Sequence, residues 1–371
     1  MILANLLPDV VGNWIESSPS VILLLVVGFC MFVVIKGADW LVEGAAGIAK
    51  RLGLPEVIIG ATIVSLGTTT PEAAVSVLAA WQGKAGLALG NGVGSIIADT
   101  GLIFGVGCLL TALPADRFVL NRQGWVQFGS GLLLTVLCIV AWLTMGDDAT
   151  LGRSVGVLLT GLLVGYMAIS IRWSKQHPHG EPRIVGEEME EVKAEGFRVE
   201  EVEEESKHAN KGVLALLGMG FVGLVMVILS GEGLVGAATE LAVRAGVPQV
   251  VIASTLVAFG TSLPELIVGI TAIRKNHAEL LVGNIIGADI LNVLFVIGVS
   301  ALASPLDIVS EKSATPLIFL YLHLPVMMGM LLLMRIYIAN SAKRGEFKRW
   351  MGWPLVIGYV VFVGLQYWLT A

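Results

Sequence analysis

Charge is scarce in this chain. Asp, Glu, Lys and Arg make up 14% of its 371 residues, against roughly 25% in water-soluble domains. With 56% hydrophobic residues and a mean hydropathy of +0.84, that scarcity excludes a soluble globular protein and leaves a polytopic membrane protein. Cysteine is sparse too. Cys30, Cys108 and Cys138 all fall in apolar runs without metal-ligand spacing, so they read as small hydrophobic residues rather than a zinc site or disulfide framework. The histidines show no ligand pattern: His177, His179 and His208 share a polar loop, and His277 follows a helix end. No nucleophile–base pair is present, which argues against an intramembrane enzyme. Strict two-residue alternation is missing, which argues against a transmembrane barrel. Met1–Ser20 has no basic leading segment and reads as a short interfacial segment rather than a signal peptide.

What the chain does have is apolar runs of about 20 residues, enough to cross a bilayer. They predict an all-α fold of about ten transmembrane helices, near 20–48, 55–81, 86–111, 125–145, 153–172, 213–243, 248–273, 279–303, 315–338 and 353–370. Lys50, Arg51, Arg117, Arg122, Arg172, Lys175, Arg274, Lys275, Arg335, Lys343, Arg344, Lys348 and Arg349 fall at one set of alternating helix ends. The other set has Lys84, Arg153, Arg244 and Lys312. By the positive-inside rule the first set is cytoplasmic, both termini are external and the loop Trp173–Lys211 is internal. That loop carries eleven Glu against six Lys or Arg, about −5 of the formal net charge of −6, and reads as a solvated linker between halves. The expected organisation is a first transmembrane repeat at 1–172, an acidic linker at 173–212 and a second repeat at 213–371.

The two halves repeat each other. Shifting the first by 193 residues aligns it without a gap from Leu41/Leu234 through Gly105/Gly298, and Arg51/Arg244, Gly53/Gly246, Pro55/Pro248, Gly67/Gly260, Pro71/Pro264, Glu72/Glu265, Asn91/Asn284 and Gly94/Gly287 coincide. Five spans per half is an odd number, so the copies insert in opposite orientations. Inverted repeats of this kind hold their sites near the bilayer midplane, at broken helices.

Two motifs in each copy carry the chemistry. Gly67-Thr68-Thr69-Thr70-Pro71-Glu72 matches Gly260-Thr261-Ser262-Leu263-Pro264-Glu265, and the spacing to the second motif agrees, 99 − 72 = 27 and 292 − 265 = 27. An acid inside a membrane span costs about 2.5–3.5 kcal/mol on insertion scales. Gly67 with Pro71, and Gly260 with Pro264, predict helix breaks whose freed carbonyls need partners. One such kink could be purely structural, with hydroxyls bonded back to the helix. Two mirrored kinks, each followed by Glu, point to a bound cation. Oxygens from carboxylate, hydroxyl and carbonyl suit Ca²⁺, and a subset suits Na⁺. Asp99 and Asn292 occupy equivalent positions in the third and eighth helices. Glycines 90, 94, 283 and 287 permit close helix approach. Asp289, three residues before Asn292, lies on a neighbouring face as a candidate accessory site. Lys36 and Asp39 are spaced to pair with each other.

These motifs resemble the α-repeats of the calcium/cation antiporter superfamily, in particular its sodium/calcium exchanger branch, which read G-T-S-x-P-E and G-N-x-x-G-S-N-I-x-N/D. The proton-coupled branch usually has G-N-A-x-E around its glutamate, without the proline found here. The resemblance implies that Glu72 and Glu265 are the central Ca²⁺ ligands, with Thr68 and Thr261 adding backbone and hydroxyl oxygens. It further implies Thr69, Ser262 and Ser95 at flanking Na⁺ sites, carbonyls from Ser65 and Ala258, and Asp99 with Asn292 completing the set. The chain departs from the pattern in four ways. Asp99 and Asn292 are exchanged relative to the usual order, Ala288 removes a hydroxyl, Ile96 and Asp289 replace paired asparagines, and Thr69 stands for Ser.

The function expected from this is secondary antiport of Ca²⁺ against Na⁺ by alternating access, with the first and sixth helices moving, as the resemblance implies. A Ca²⁺/H⁺ or K⁺-dependent antiporter is the nearest alternative and a cation channel the alternative from another class. Ca²⁺ and Na⁺ are expected as transported substrates, the lipid bilayer as surroundings and the plasma or bacterial inner membrane as location. No cofactor or nucleic-acid partner is expected, and the chain is read as a monomer.

Overall fold

The computed structural model describes residues 14–176, 212–245, 262–308 and 318–370. The protein is an all-α integral membrane protein. Its long helices are α1 (Ser20–Leu52), α2 (Glu56–Trp81), α3 (Ala85–Leu110), α4 (Arg117–Met145), α5 (Arg153–Gln176), α6 (Val213–Arg244), α7 (Leu263–Arg274), α8 (Ala278–Ala303), α9 (Phe319–Ser341) and α10 (Gly352–Thr370). Among the described residues nine are long and apolar enough to cross a membrane. The tenth expected span, 248–273, is described only from Ser262 onward.

Local chemistry sets several ends. Gly53 closes α1 in the left-handed conformation, φ 62°, with its N–H on the carbonyls of Ala49 and Lys50. The fourth helix begins eight residues before its expected start at 125, because Asp116 caps it by accepting from the Val119 N–H at 2.8 Å. Arg117 and Arg122 precede the apolar run from which the start at 125 was read. Here Arg122 folds over the Phe118 ring at 3.6 Å, so the polar turns remain helical at the membrane edge.

The predicted break at Gly67–Pro71 is not where α2 is distorted. The helix continues through Pro71, and its widened π-turn lies earlier, at Gly60–Val64. Proline deletes one N–H from the ladder, and a single lost bond does not end a helix packed on several sides. In the second copy α7 starts at Leu263 with Pro264 in its first turn, where a missing N–H costs nothing. The preceding residues, Gly260 and Thr261 among them, lie outside the described residues.

The inverted repeat is visible in two further features. Widened turns at Asp99–Phe104 in α3 and Asn292–Ile297 in α8 are related by the same offset of 193. Two short antiparallel strand pairs clasp the bundle: β1 (Leu113–Pro114) with β4 (Glu346–Phe347), and β2 (Thr150–Leu151) with β3 (Leu306–Asp307). Each pair joins a loop of one half to a loop of the other. Because α4 crosses the bundle between β1 and β2, the two clasps sit at opposite ends.

Burial separates a centre from a periphery. The most apolar windows of α3 and α8 are 72% and 83% buried within the protein, whereas those of α1 and α6 are each 28% buried. Gly283 makes the centre possible, since a Cβ there would overlap the Val57 carbonyl. At Gly287 a Cβ would come within 2.6 Å of Ala61 Cα, so α8 lies backbone to backbone on α2. Gly90 and Gly94 meet nothing within 4 Å. The repeat pairs Val57 and Ala61 with Val250 and Ser254, which lie outside the described residues.

Helices α1 and α6 run along each other over glycines as well; a Cβ on Gly44 would lie 2.8 Å from Gly220 N. At one end Arg244 of α6 donates to the carbonyls of Ser18 and Glu16, at 2.7 and 2.8 Å. At the other, Lys275 just past α7 reaches Glu43 and Asp39 of α1, at 2.7 and 3.7 Å. The expected Lys36–Asp39 pair is present at 3.9 Å.

Candidate cation site

Helical spacing gathers Ser65, Thr68, Thr69 and Glu72 onto the buried side of α2. Ser95 and Asp99 come from α3, Ser262 and Glu265 from the start of α7, and Asn292 from the widened turn of α8; all are buried. The acids form one electrostatic group. They lie within electrostatic reach of one another: Glu72 of Asp99 and Glu265, and Asp99 of Glu265 and Asp289. Asn292 Nδ2 donates to Asp99 Oδ2 at 3.5 Å, so the equivalent residues of the two repeats meet. Thr68 joins the copies too. Its hydroxyl lies 3.3 Å from Asn284 Oδ1 of the other copy. Of the sequence-predicted ligands, Ala258 and Thr261 lie outside the described residues.

The decisive feature is which oxygens have no donor. Thr69 Oγ1, both Glu72 oxygens, Ser95 Oγ, Asp99 Oδ1, Ser262 Oγ, Glu265 Oε2 and Asn292 Oδ1 are buried without a hydrogen-bond partner. Buried polar groups are ordinarily satisfied, and a buried charge is very costly unless paired. Among the described residues no Lys or Arg is buried. Nor do three or more His, Cys, Asp and Glu side chains among them gather around one point. Any ion held here therefore takes a mixed oxygen set of two glutamates, hydroxyls and amide or backbone carbonyls, which suits hard cations.

Supporting contacts fix these groups. Asn91 Nδ2 donates to the Glu72 carbonyl at 3.2 Å and to Ser76 Oγ at 2.9 Å, holding the turn that carries the glutamate. Tyr166 of α5 donates to the Ala61 carbonyl in the widened turn at 3.3 Å. The Ser65 carbonyl also lies 3.3 Å from the Thr68 hydroxyl, whose single proton it shares with Asn284 Oδ1. Asn91, Asn284, Thr100 and Gln127 were not among the predicted site residues. The Gly-Asn pairs at 90–91 and 283–284 were the signal for the first two, because both asparagines recur at the repeat offset. Nothing in the sequence singled out Thr100 or Gln127.

A family model described as sodium/calcium exchanger protein matches residues 20–172 and 215–368. The sodium/calcium exchanger MaX1 of Methanosarcina acetivorans is 31% identical over 94% of this chain and 98% of its own length. Inner membrane protein YrbG of Escherichia coli is 30% identical over 94% of this chain and 97% of its own. Among solved structures, the sodium-calcium exchanger NCX_Mj soaked with Na⁺ and Sr²⁺ superposes with a TM-score of 0.71. That match covers 93% of this chain and 99% of NCX_Mj at 24% identity, a likeness of fold.

Proposed function

The chain belongs to the sodium/calcium exchanger protein family, and we propose that it is a secondary antiporter exchanging Ca²⁺ for Na⁺ by alternating access. The observation that carries this reading is the set of buried, donorless oxygens around Glu72 and Glu265, contributed by both repeats, with no Lys or Arg buried among the described residues to offset them. Ions themselves supply the missing charge. One Ca²⁺ or several Na⁺ neutralise the carboxylates, and both ions draw on shared oxygens. Occupancy by one therefore excludes the other, which couples the fluxes. Crossing between inward- and outward-facing states with bare carboxylates is unfavourable, at about 2.5–3.5 kcal/mol per acid on insertion scales. The loaded protein switches more readily.

Sliding of α1 with α6 against the rest provides the alternation. The glycine-lined contact between them supports it, and the Lys275 pairs to Asp39 and Glu43 are the link that must rearrange. In this reading both termini face outward, 173–212 is an internal linker, and Glu72, Glu265, Asp99, Asn292, Thr68, Thr69, Thr261, Ser262, Ser95, Ser65 and Ala258 line the ion path.

The test is ⁴⁵Ca²⁺ uptake into proteoliposomes under separate Na⁺, K⁺ and pH gradients. Uptake driven by an outward Na⁺ gradient alone is expected. Uptake that follows the pH gradient and ignores Na⁺ would replace the reading with Ca²⁺/H⁺ exchange, and unitary currents would replace it with a channel.

A further inference from the structure

Helix α4 has two polar faces. One points inward and belongs to the site region: Gln127 Nε2, with Thr100 Oγ1 of α3, donates to Asp289 Oδ2, each at 2.6 Å. The exchange scheme does not use the other. Phe118, Asn121, Arg122 and Trp125 recur at helical spacing and share one stripe of α4, on which Trp125 is exposed. Arg335 of α9 lies across that stripe. Its guanidinium carbon stands 4.3 Å from the centre of the Trp125 ring, and its Nη1 donates to Asn121 Oδ1 at 3.4 Å. Gly124 brings the helices together here, since a Cβ on it would overlap Ile338 Cδ1 at 2.7 Å and touch Arg335 Nη1 at 3.7 Å. Arg122 folds over Phe118 on the same stripe and donates to its carbonyl at 3.0 Å. Neither arginine forms an ion pair among the described residues.

Depth matters as much as charge. Helix α4 has 29 residues, about 43 Å, which matches a whole bilayer with its headgroups. Asn121 and Trp125 lie about 6–12 Å along it from Arg117, near the boundary between headgroups and hydrocarbon. We propose that this groove between α4 and α9 binds an anionic phospholipid, whose phosphate Arg335 takes. Stacking on the indole fixes the guanidinium plane and leaves its remaining N–H groups for a phosphate. An arginine that merely snorkels reaches for water; this one is laid across a neighbouring helix and held there by a ring and an amide. Deeper along the same strip, Gly129 meets nothing within 4 Å, and Leu132 and Leu332 are exposed. That is an apolar track for an acyl chain, which free phosphate could not use. Basic pockets between transmembrane helices recognise anionic headgroups in this way.

Native mass spectrometry of the purified full-length protein, titrated with phosphatidylglycerol or phosphatidylcholine of the same chains, tests this. The wild type is expected to bind the first phosphatidylglycerol more tightly than phosphatidylcholine. Arg335→Gln is expected to weaken that binding about tenfold, as loss of a charge-assisted hydrogen bond does. Trp125→Leu leaves the charge unchanged and is expected to weaken it about two- to fivefold; it also covers the case in which Arg335→Gln does not fold. Arg153→Gln removes one charge beside the other strand clasp, at the opposite end of the bundle, and is expected to change nothing. Excess inorganic phosphate is expected to leave the lipid bound. Equal binding of the two lipids, wild-type affinity in Arg335→Gln or Trp125→Leu, an equal loss in Arg153→Gln, or displacement by phosphate would each overturn the proposal.

Discussion

Asn284 offers a sharp test at the scale of single residues. Its Oδ1 faces the Thr68 hydroxyl across the repeat interface, and Asn284→Leu removes that partner at similar volume. A neutral hydrogen bond is worth about 0.5–1.5 kcal/mol net, so the half-saturating Ca²⁺ concentration for uptake should rise about two- to twelvefold. Unchanged uptake would mean that Asn284 is packing only. Residues differed in how readily the sequence announced them. Glu72 and Glu265 were legible because an acid in an apolar run has no inexpensive structural use. Thr100 and Gln127 were not, because amides and hydroxyls in helices have local partners available and cost little when they use them. Which of them turns to a neighbour is a matter of packing, and the sequence of one helix does not contain it.

Among elements, the contact of α8 on α2 carries the site, since it brings Thr68 to Asn284. Gly283→Ala would push a methyl group into the Val57 carbonyl. Overpacking of this kind costs about 1–3 kcal/mol, so thermal unfolding in detergent should occur at lower temperature and Ca²⁺ uptake should fall. Gly161 in α5 meets nothing within 4 Å. Gly161→Ala should leave both unchanged or raise stability slightly, by about 0.5–1 kcal/mol. Helix existence was readable from apolar run length, but the distortions were not. The proline suggested a break at Gly67–Pro71, whereas the widened turn formed at Gly60–Val64. Widened turns at Asp99 and Asn292 had no sequence mark apart from the polar residue that begins each. The early start of α4 was hidden because basic residues at a membrane edge look the same in a loop and in a capped first turn.

For the molecule as a whole, the internal repeat made the architecture legible. An offset of 193 running through both motifs marked two copies, an odd number of spans in each set them in opposite orientations, and the strand clasps and paired widened turns follow that symmetry. The repeat also shows where symmetry fails: Asp99 against Asn292, Ser95 against Ala288, Ile96 against Asp289. Those exchanges keep an acid on each central helix but move it along the helix. The central claim is that a glutamate from each copy holds one shared Ca²⁺. Equilibrium ⁴⁵Ca²⁺ binding to the purified protein reads it directly, with Glu72→Gln and Glu265→Gln compared against the wild type. The account predicts one Ca²⁺ per wild-type chain and, at the same concentrations, none in either variant; wild-type binding retained in either one would contradict it.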